Sequence, residues 1–193
     1  MRLVEQVHQT LAEAIQPGDM VVDATMGNGH DTLFLAQRVG PAGRVYAFDV
    51  LPEALEETRQ RLLHNGLLDR TALLLTGHEN LAAHIAPEYC SMVRVVMFNL
   101  GYRPGGDKRA TTATESTLAA LDAALAILAS DGRISIVAYS GHPGGREETE
   151  AVKQWAGGLD QKAYRVTIQI SGSKQSCAPE WILVEAMDSE NRS

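Results

Sequence analysis

MVVDATMGNGHDT, residues 20–32, is the stretch whose reading decides the fold. Residues 20–24 form a short apolar run interrupted by one acid, Asp23. Gly27-Asn28-Gly29 breaks the run, and residues 31–39 resume with apolar positions at helical spacing. Strand, glycine turn and helix in this order form the repeating unit of a parallel sheet covered by helices. The glycines permit positive φ and let a ligand come close to the backbone.

The same alternation extends outward from this unit. Toward the N-terminus, Leu3, Val4, Val7, Leu11, Ala14 and Ile15 recur at helical spacing. They predict a short helix over about 1–16, stopped by Pro17-Gly18. Toward the C-terminus, strands are expected at 44–50, 72–75, 93–99 and 133–139. Helices are expected at 52–65, at 116–129 (ended by Asp131-Gly132) and at 147–156. Residues 164–170 and 181–186 read as a closing hairpin. The expectation is an α/β, Rossmann-like, mostly parallel seven-stranded sheet with helices on both faces. It forms a single domain over 1–193, with a mobile loop at about 101–115.

Composition narrows the function classes. The chain has 193 residues, 45% hydrophobic and 21% charged, which suits one globular domain with its own core. Seventeen basic against 24 acidic residues, a net charge of −7, disfavour a broad nucleic-acid-coating surface. A local basic patch gripping one RNA stem stays compatible. Two cysteines make neither a disulfide framework nor a cysteine-rich metal site. The six histidines lack metal-binding spacing, so no metal is expected. No apolar run is long enough for a membrane span, and a cytoplasmic protein without membrane contact is expected.

In a doubly wound sheet, ligands bind beyond the carboxyl ends of the strands. Asp49 stands there, twenty residues past Gly29, where a carboxylate can accept two ribose hydroxyls. It can equally begin the following helix, and the two roles are compatible. A nicotinamide dinucleotide and S-adenosylmethionine would both use such an acid. A dinucleotide requires a third glycine at the position of Thr32, and Asp31 would repel its pyrophosphate. Asp23 and Asp31 instead suit the ammonium and sulfonium of S-adenosylmethionine. Asn99-Leu100-Gly101-Tyr102 ends the fourth strand. An asparagine carbonyl there can accept from an amine and aim its lone pair at a methyl donor, and Tyr102 can stack on a base. A plain Asn-Gly turn is the competing reading. Asn99→Asp would then place an anion beside the amine, hold it protonated and move the pH–rate profile to alkaline values. Arg103, Gly105, Gly106, Asp107, Lys108 and Arg109 form a glycine-rich, locally basic loop that can hold phosphates or remain solvated. His142, after the fifth strand, is either a substrate contact and proton acceptor or a turn residue. His8, His64 and His84 read as incidental.

Together and in order, residues 23–32, 46–49, 98–102, 104–108 and 141–143 closely resemble the YtqB-like, or MnmM, family, long labelled as rRNA methylases. The resemblance spans about 18–186. It implies a class I methyltransferase fold that uses S-adenosylmethionine. It also implies N-methylation of the 5-aminomethyl group of wobble (2-thio)uridine in the tRNA anticodon stem-loop. Asp23, Met26, Gly27, Asn28, Gly29, Asp31, Thr32 and Asp49 become expected cofactor contacts, and Asn99 and Tyr102 expected catalytic residues. Against the broad class pattern, Thr25 replaces a first glycine, and His78 stands where an acidic adenine contact is common. Glu79 can supply that acid, and both stay open. The alternative is a small-molecule or other RNA N-methyltransferase, which would not need the basic loop. A homodimer is carried as a candidate assembly.

Overall fold

The computed structural model describes residues 2–101, 112–171 and 178–187. Its strands are β1 Met20–Asp23, β2 Arg44–Asp49, β3 Thr71–Leu75, β4 Val93–Leu100, β5 Leu128–Ala138, β6 Tyr164–Ile170 and β7 Glu180–Ala186. They form one seven-stranded sheet in the order β3-β2-β1-β4-β5-β7-β6. The pairs from β3 across to β5 are parallel, and β7 runs antiparallel between β5 and β6. The apolar character of β1 and β4 follows from burial on both faces. Chain order reverses between β1 and β4, so their following segments diverge and leave a crevice there.

Helices α1 Leu3–Ala14, α2 His30–Arg38 and α3 Pro52–His64 lie on one face, and α4 Thr114–Ile127 and α5 Gly145–Gly157 on the other. On the first face Val7, Leu11, Leu35 and Leu62 pack against Val21, Val45 and Val95. On the second, Ala120, Leu121 and Val152 pack against Val22, Val96 and Ile134. Burying about a dozen large aliphatic and aromatic side chains at roughly 1.5–3 kcal/mol each supplies the main driving force for both layers. Among the described residues, no helix is long and apolar enough to cross a membrane.

Three local expectations need correction. Val4 does not join the buried stripe of α1, since it is 44% exposed. The helix expected to reach 129 ends at Ile127, and β5 begins at Leu128 instead of after Asp131-Gly132. The register explains this: Val93 pairs with Leu128, but Val95 pairs with Arg133, so Asp131-Gly132 lies in a bulge inside the strand. Arg94 holds the bulge by an ion pair with Asp131, and a Cβ on Gly132 would lie 2.8 Å from the Leu128 side chain, so a larger residue there would displace it. Finally, β3 is followed by a 3₁₀ segment, His78–His84, that no periodicity announces.

Candidate functional site

A cavity of about 240 Å³ opens above the carboxyl ends of β1 to β4. Each strand contributes its exit residues: Thr25 and Gly27 after β1, Asp49 to Leu51 at the end of β2, Gly77 to Glu79 after β3, and Asn99 and Gly101 from β4. The start of α4, with Ala113 and Ser116, closes the far side.

The glycine loop is held by its neighbours. The Gly29 N–H donates to the Met26 carbonyl at 2.7 Å, and the Met26 N–H donates to the Phe48 carbonyl at 2.9 Å. From α3, the Thr58 hydroxyl donates to the Gly27 carbonyl at 3.3 Å, and Arg61 Nε donates to the Asn28 carbonyl at 2.7 Å. Gly29 is obligatory: its φ is +74°, and a Cβ would stand 2.6 Å from Thr58 Oγ1. Gly27 has φ +49°, but a Cβ there would meet only the Thr25 carbonyl at 3.8 Å, so its outer side is open to a ligand.

Two acids brace this loop and its flanks. Asp49 Oδ2 accepts the Gly27 N–H and Oδ1 accepts the Leu51 N–H, both at 3.0 Å. It therefore fixes the start of α3, and each oxygen keeps a further lone pair toward the cavity. Asp23 is wholly buried and does not line the cavity. Its oxygens accept from the Thr32 hydroxyl at 2.6 Å and the Thr25 N–H at 3.2 Å. Burial, reinforced by the Asp31 charge and only partly offset by these hydrogen bonds, pushes its carboxyl up to about 7.

Asn99 lies on the rim between β1 and β4. Its backbone N–H donates to Thr25 Oγ1 at 2.7 Å, which gives the threonine in the first glycine's place a structural task. Its side-chain Nδ2 donates to Asp31 Oδ2 at 2.6 Å. A carboxylate only accepts, so Asp31 takes one N–H of the amide, and Oδ1 is left as the acceptor of the group beside the second Nδ2–H. The other Asp31 oxygen meets His8 Nε2 at 2.6 Å. The His8 ring is stacked on Phe34 with centroids 4.0 Å apart and planes 2° from parallel. His8, read as incidental, is thus joined to the site.

Beyond Asn99, Gly101 and Thr112 are tied by reciprocal backbone and hydroxyl hydrogen bonds of 3.0 Å. The Thr112 and Thr117 hydroxyls both donate to the buried Glu148 carboxylate, at 2.7 and 2.6 Å. A Cβ on Gly101 would stand 3.4 Å from Tyr139 Cβ and 3.6 Å from His142 Nε2, so both side chains border the rim. Burial, with a smaller contribution from Asp31, raises the Tyr139 phenol above its ordinary value. On the opposite side, both His78 and Glu79 line the cavity. Burial holds His78 below the usual histidine range, and its ring meets Phe98 edge-on at 5.8 Å.

Of the expected site residues, Gly27, Asp49, His78, Glu79 and Asn99 line the cavity, whereas Asp23, Met26, Asn28, Gly29, Asp31 and Thr32 surround or support it. Tyr102, Arg103, Gly105, Gly106, Asp107, Lys108 and Arg109 lie outside the described residues. Sequence reasoning missed Thr58, Arg61, Glu148 and His8 as supports.

A family model described as "Putative rRNA methylase" matches residues 45–185. The chain is 43% identical over 166 residues to an Arabidopsis thaliana protein named tRNA (mnm(5)s(2)U34)-methyltransferase, chloroplastic. That match covers 82% of this chain but spans only 60% of the plant protein's length. A crystal structure of a putative rRNA-methylase from Clostridium thermocellum superposes with a TM-score of 0.92 at 38% identity, covering 97% of this chain and 98% of that one. A putative methyltransferase from Streptococcus mutans, solved in complex with SAH, gives a TM-score of 0.85 at 31% identity, covering 97% and 99%.

Proposed function

The chain belongs to the putative rRNA methylase family, and on that footing we propose that it transfers a methyl group from S-adenosylmethionine to the 5-aminomethyl nitrogen of wobble (2-thio)uridine in tRNA. The observation that carries this reading is the amide of Asn99 at the cleft, fixed by Asp31 through its nitrogen and so left with its carbonyl as an acceptor. The plant relative's name supports the choice of tRNA, and the SAH bound to the Streptococcus relative supports the cofactor.

The residues present fit that cofactor. Gly27 leaves open space where a side chain would stand, and Asp49 keeps acceptor capacity for a ribose diol. Val50, 65% exposed, and Leu51 offer apolar surface beside the diol, with His78 and Glu79 across from them. When bound, S-adenosylmethionine supplies an electrophilic methyl carbon. The protein's work is positioning. Asn99 Oδ1 accepts a hydrogen bond from the target NH₂ and turns the nitrogen lone pair toward the methyl end of the cleft. Being uncharged, it does not stabilise the unreactive ammonium, and partial desolvation favours the free amine further. Orientation of this kind brings reacting atoms to roughly 3 Å, the separation at which bimolecular attack becomes effectively unimolecular. The amine proton leaves to water or to His142, which borders the same rim. Arg103, Lys108 and Arg109 remain the sequence's phosphate contacts for the anticodon stem-loop, and the cytoplasm the expected compartment.

Incubation with methyl-labelled S-adenosylmethionine and bulk tRNA from cells lacking the modification tests this reading. Digestion should yield labelled 5-methylaminomethyl-(2-thio)uridine. No label in tRNA, with label entering ribosomal RNA or a small amine in parallel incubations, would replace the substrate and keep the fold-level chemistry.

A further inference from the structure

We propose that His8 is a positioning residue of this site, acting through Asp31 to lock the Asn99 amide in the orientation that offers its carbonyl to the target amine. The inference rests on the methyl-transfer reading above and adds to it a residue from a helix that otherwise only covers the sheet.

Three elements converge on one carboxylate. His8 comes from α1, Asp31 from the first turn of α2, and Asn99 from β4, so contacts of 2.6 Å join positions 23 and 68 residues apart. Held by Asn99 alone, the Asp31 carboxylate could turn about its terminal torsion, and the amide would turn with it, because such torsions are soft. Anchoring the second oxygen removes that freedom. The anchor is itself fixed, since face-to-face packing on Phe34 sets the plane of the His8 ring and hence the direction of Nε2. His8 does not line the cavity, so its effect reaches the reaction only through Asp31. Both contacts have the short length of hydrogen bonds to a charged acceptor, which are stronger and more directional than neutral ones.

Two variants separate the hydrogen bond from the packing. His8→Leu keeps apolar bulk against Phe34 and loses the donor. His8→Gln keeps an N–H near the place of Nε2. With tRNA and S-adenosylmethionine saturating, His8→Leu should lower kcat about tenfold, a fraction of the ~10²-fold cost of mispositioned reactants. The KM for tRNA and the Kd for S-adenosylmethionine should change less than twofold, and His8→Gln should recover most of kcat. In the free protein, the Asn99 side-chain amide resonances should shift in His8→Leu and hardly in His8→Gln. A wild-type kcat in His8→Leu, unmoved Asn99 resonances, or equal losses in both variants would overturn the proposal. Should the wild type methylate no tRNA, the substrate reading fails, and the Asn99 resonances still decide the coupling.

Discussion

Asn99→Asp is the substitution for which the structure reverses the expectation drawn from sequence. Without coordinates, it introduces a fixed anion that holds the amine protonated and makes the enzyme work better at alkaline pH. The side chain at position 99, however, sits 2.6 Å from Asp31 Oδ2. Two carboxylates in contact there, with charge centres about 4 Å apart, repel by about 4 kcal/mol at an effective dielectric of about 20. Protonating a carboxyl of ordinary acidity costs about 4 kcal/mol at pH 7 and about 3 kcal/mol at pH 6. The two balance near neutral pH, and below it the pair carries one shared proton. A protonated Asp at 99 donates to Asp31 as the amide did and still offers a carbonyl to the cleft. We therefore expect Asn99→Asp to stay within about tenfold of wild-type kcat at pH 6–7. As pH rises the shared proton is lost, and kcat should fall toward the ~10²-fold deficit of Asn99→Ala, on the scale of mispositioned reactants. Wild type should hold or gain over that range as the target amine deprotonates. The assay is kcat from pH 6 to 10 for the three proteins with both substrates saturating. An Asn99→Asp profile parallel to wild type, or equally depressed at every pH, would refute the shared proton.

Other outcomes follow from the supports of the cleft. Asp49→Ala removes the acceptor of two backbone N–H groups and, on the proposed reading, of the ribose diol; calorimetry should show S-adenosylmethionine binding at least about tenfold weaker, since a hydrogen bond to a charged group is worth roughly 1.5–3 kcal/mol. Gly29→Ala forces a Cβ against Thr58 at a left-handed φ, which alone costs roughly 1–2 kcal/mol. Its Tm should fall by about 5 °C or more, and adding Thr58→Ala should recover only part, because the Thr58 Cα is itself 2.9 Å from that Cβ. Asp23 titrates near 7 when folded and near 3.8 in the ordinary state, so between those values the native protein binds the extra proton. Stability from this group is full below about pH 4 and declines as pH rises to about 7, by up to about 4 kcal/mol. The Tm of Asp23→Asn minus that of wild type should therefore grow from pH 4 to 8, and a flat difference would show Asp23 to be ionised throughout.

What the sequence disclosed depended on how local each cause was. The apolar runs of β1, β2 and β4 place those strands within a residue or so, because burial on both faces leaves no other use for them. The position of Gly27, Asp49 and Asn99 at the cavity was legible because topology alone carries strand ends to the crevice. Asp131-Gly132 misled, because a turn signal and a bulge share the same residues and only the pairing of β4 with β5 decides between them. His8 was illegible for a different reason. It stands one residue after buried Val7 and three before buried Leu11, on the shoulder of the stripe, where a polar side chain ordinarily meets water. Its partner is set by how α1 crosses the sheet, which no spacing within α1 specifies. Glu148 hid similarly: an acid in the first turn of a helix looks like a response to the helix dipole, yet this one is buried and holds two hydroxyls from the entry to α4. In each case the residue type announced a capacity to hydrogen-bond, and only the docking of a distant element supplied the group it serves. For that reason the rim of the cleft divides as it does: the residues lining it come from strand ends that topology predicts, and the residues that hold them come from helix contacts that topology leaves open.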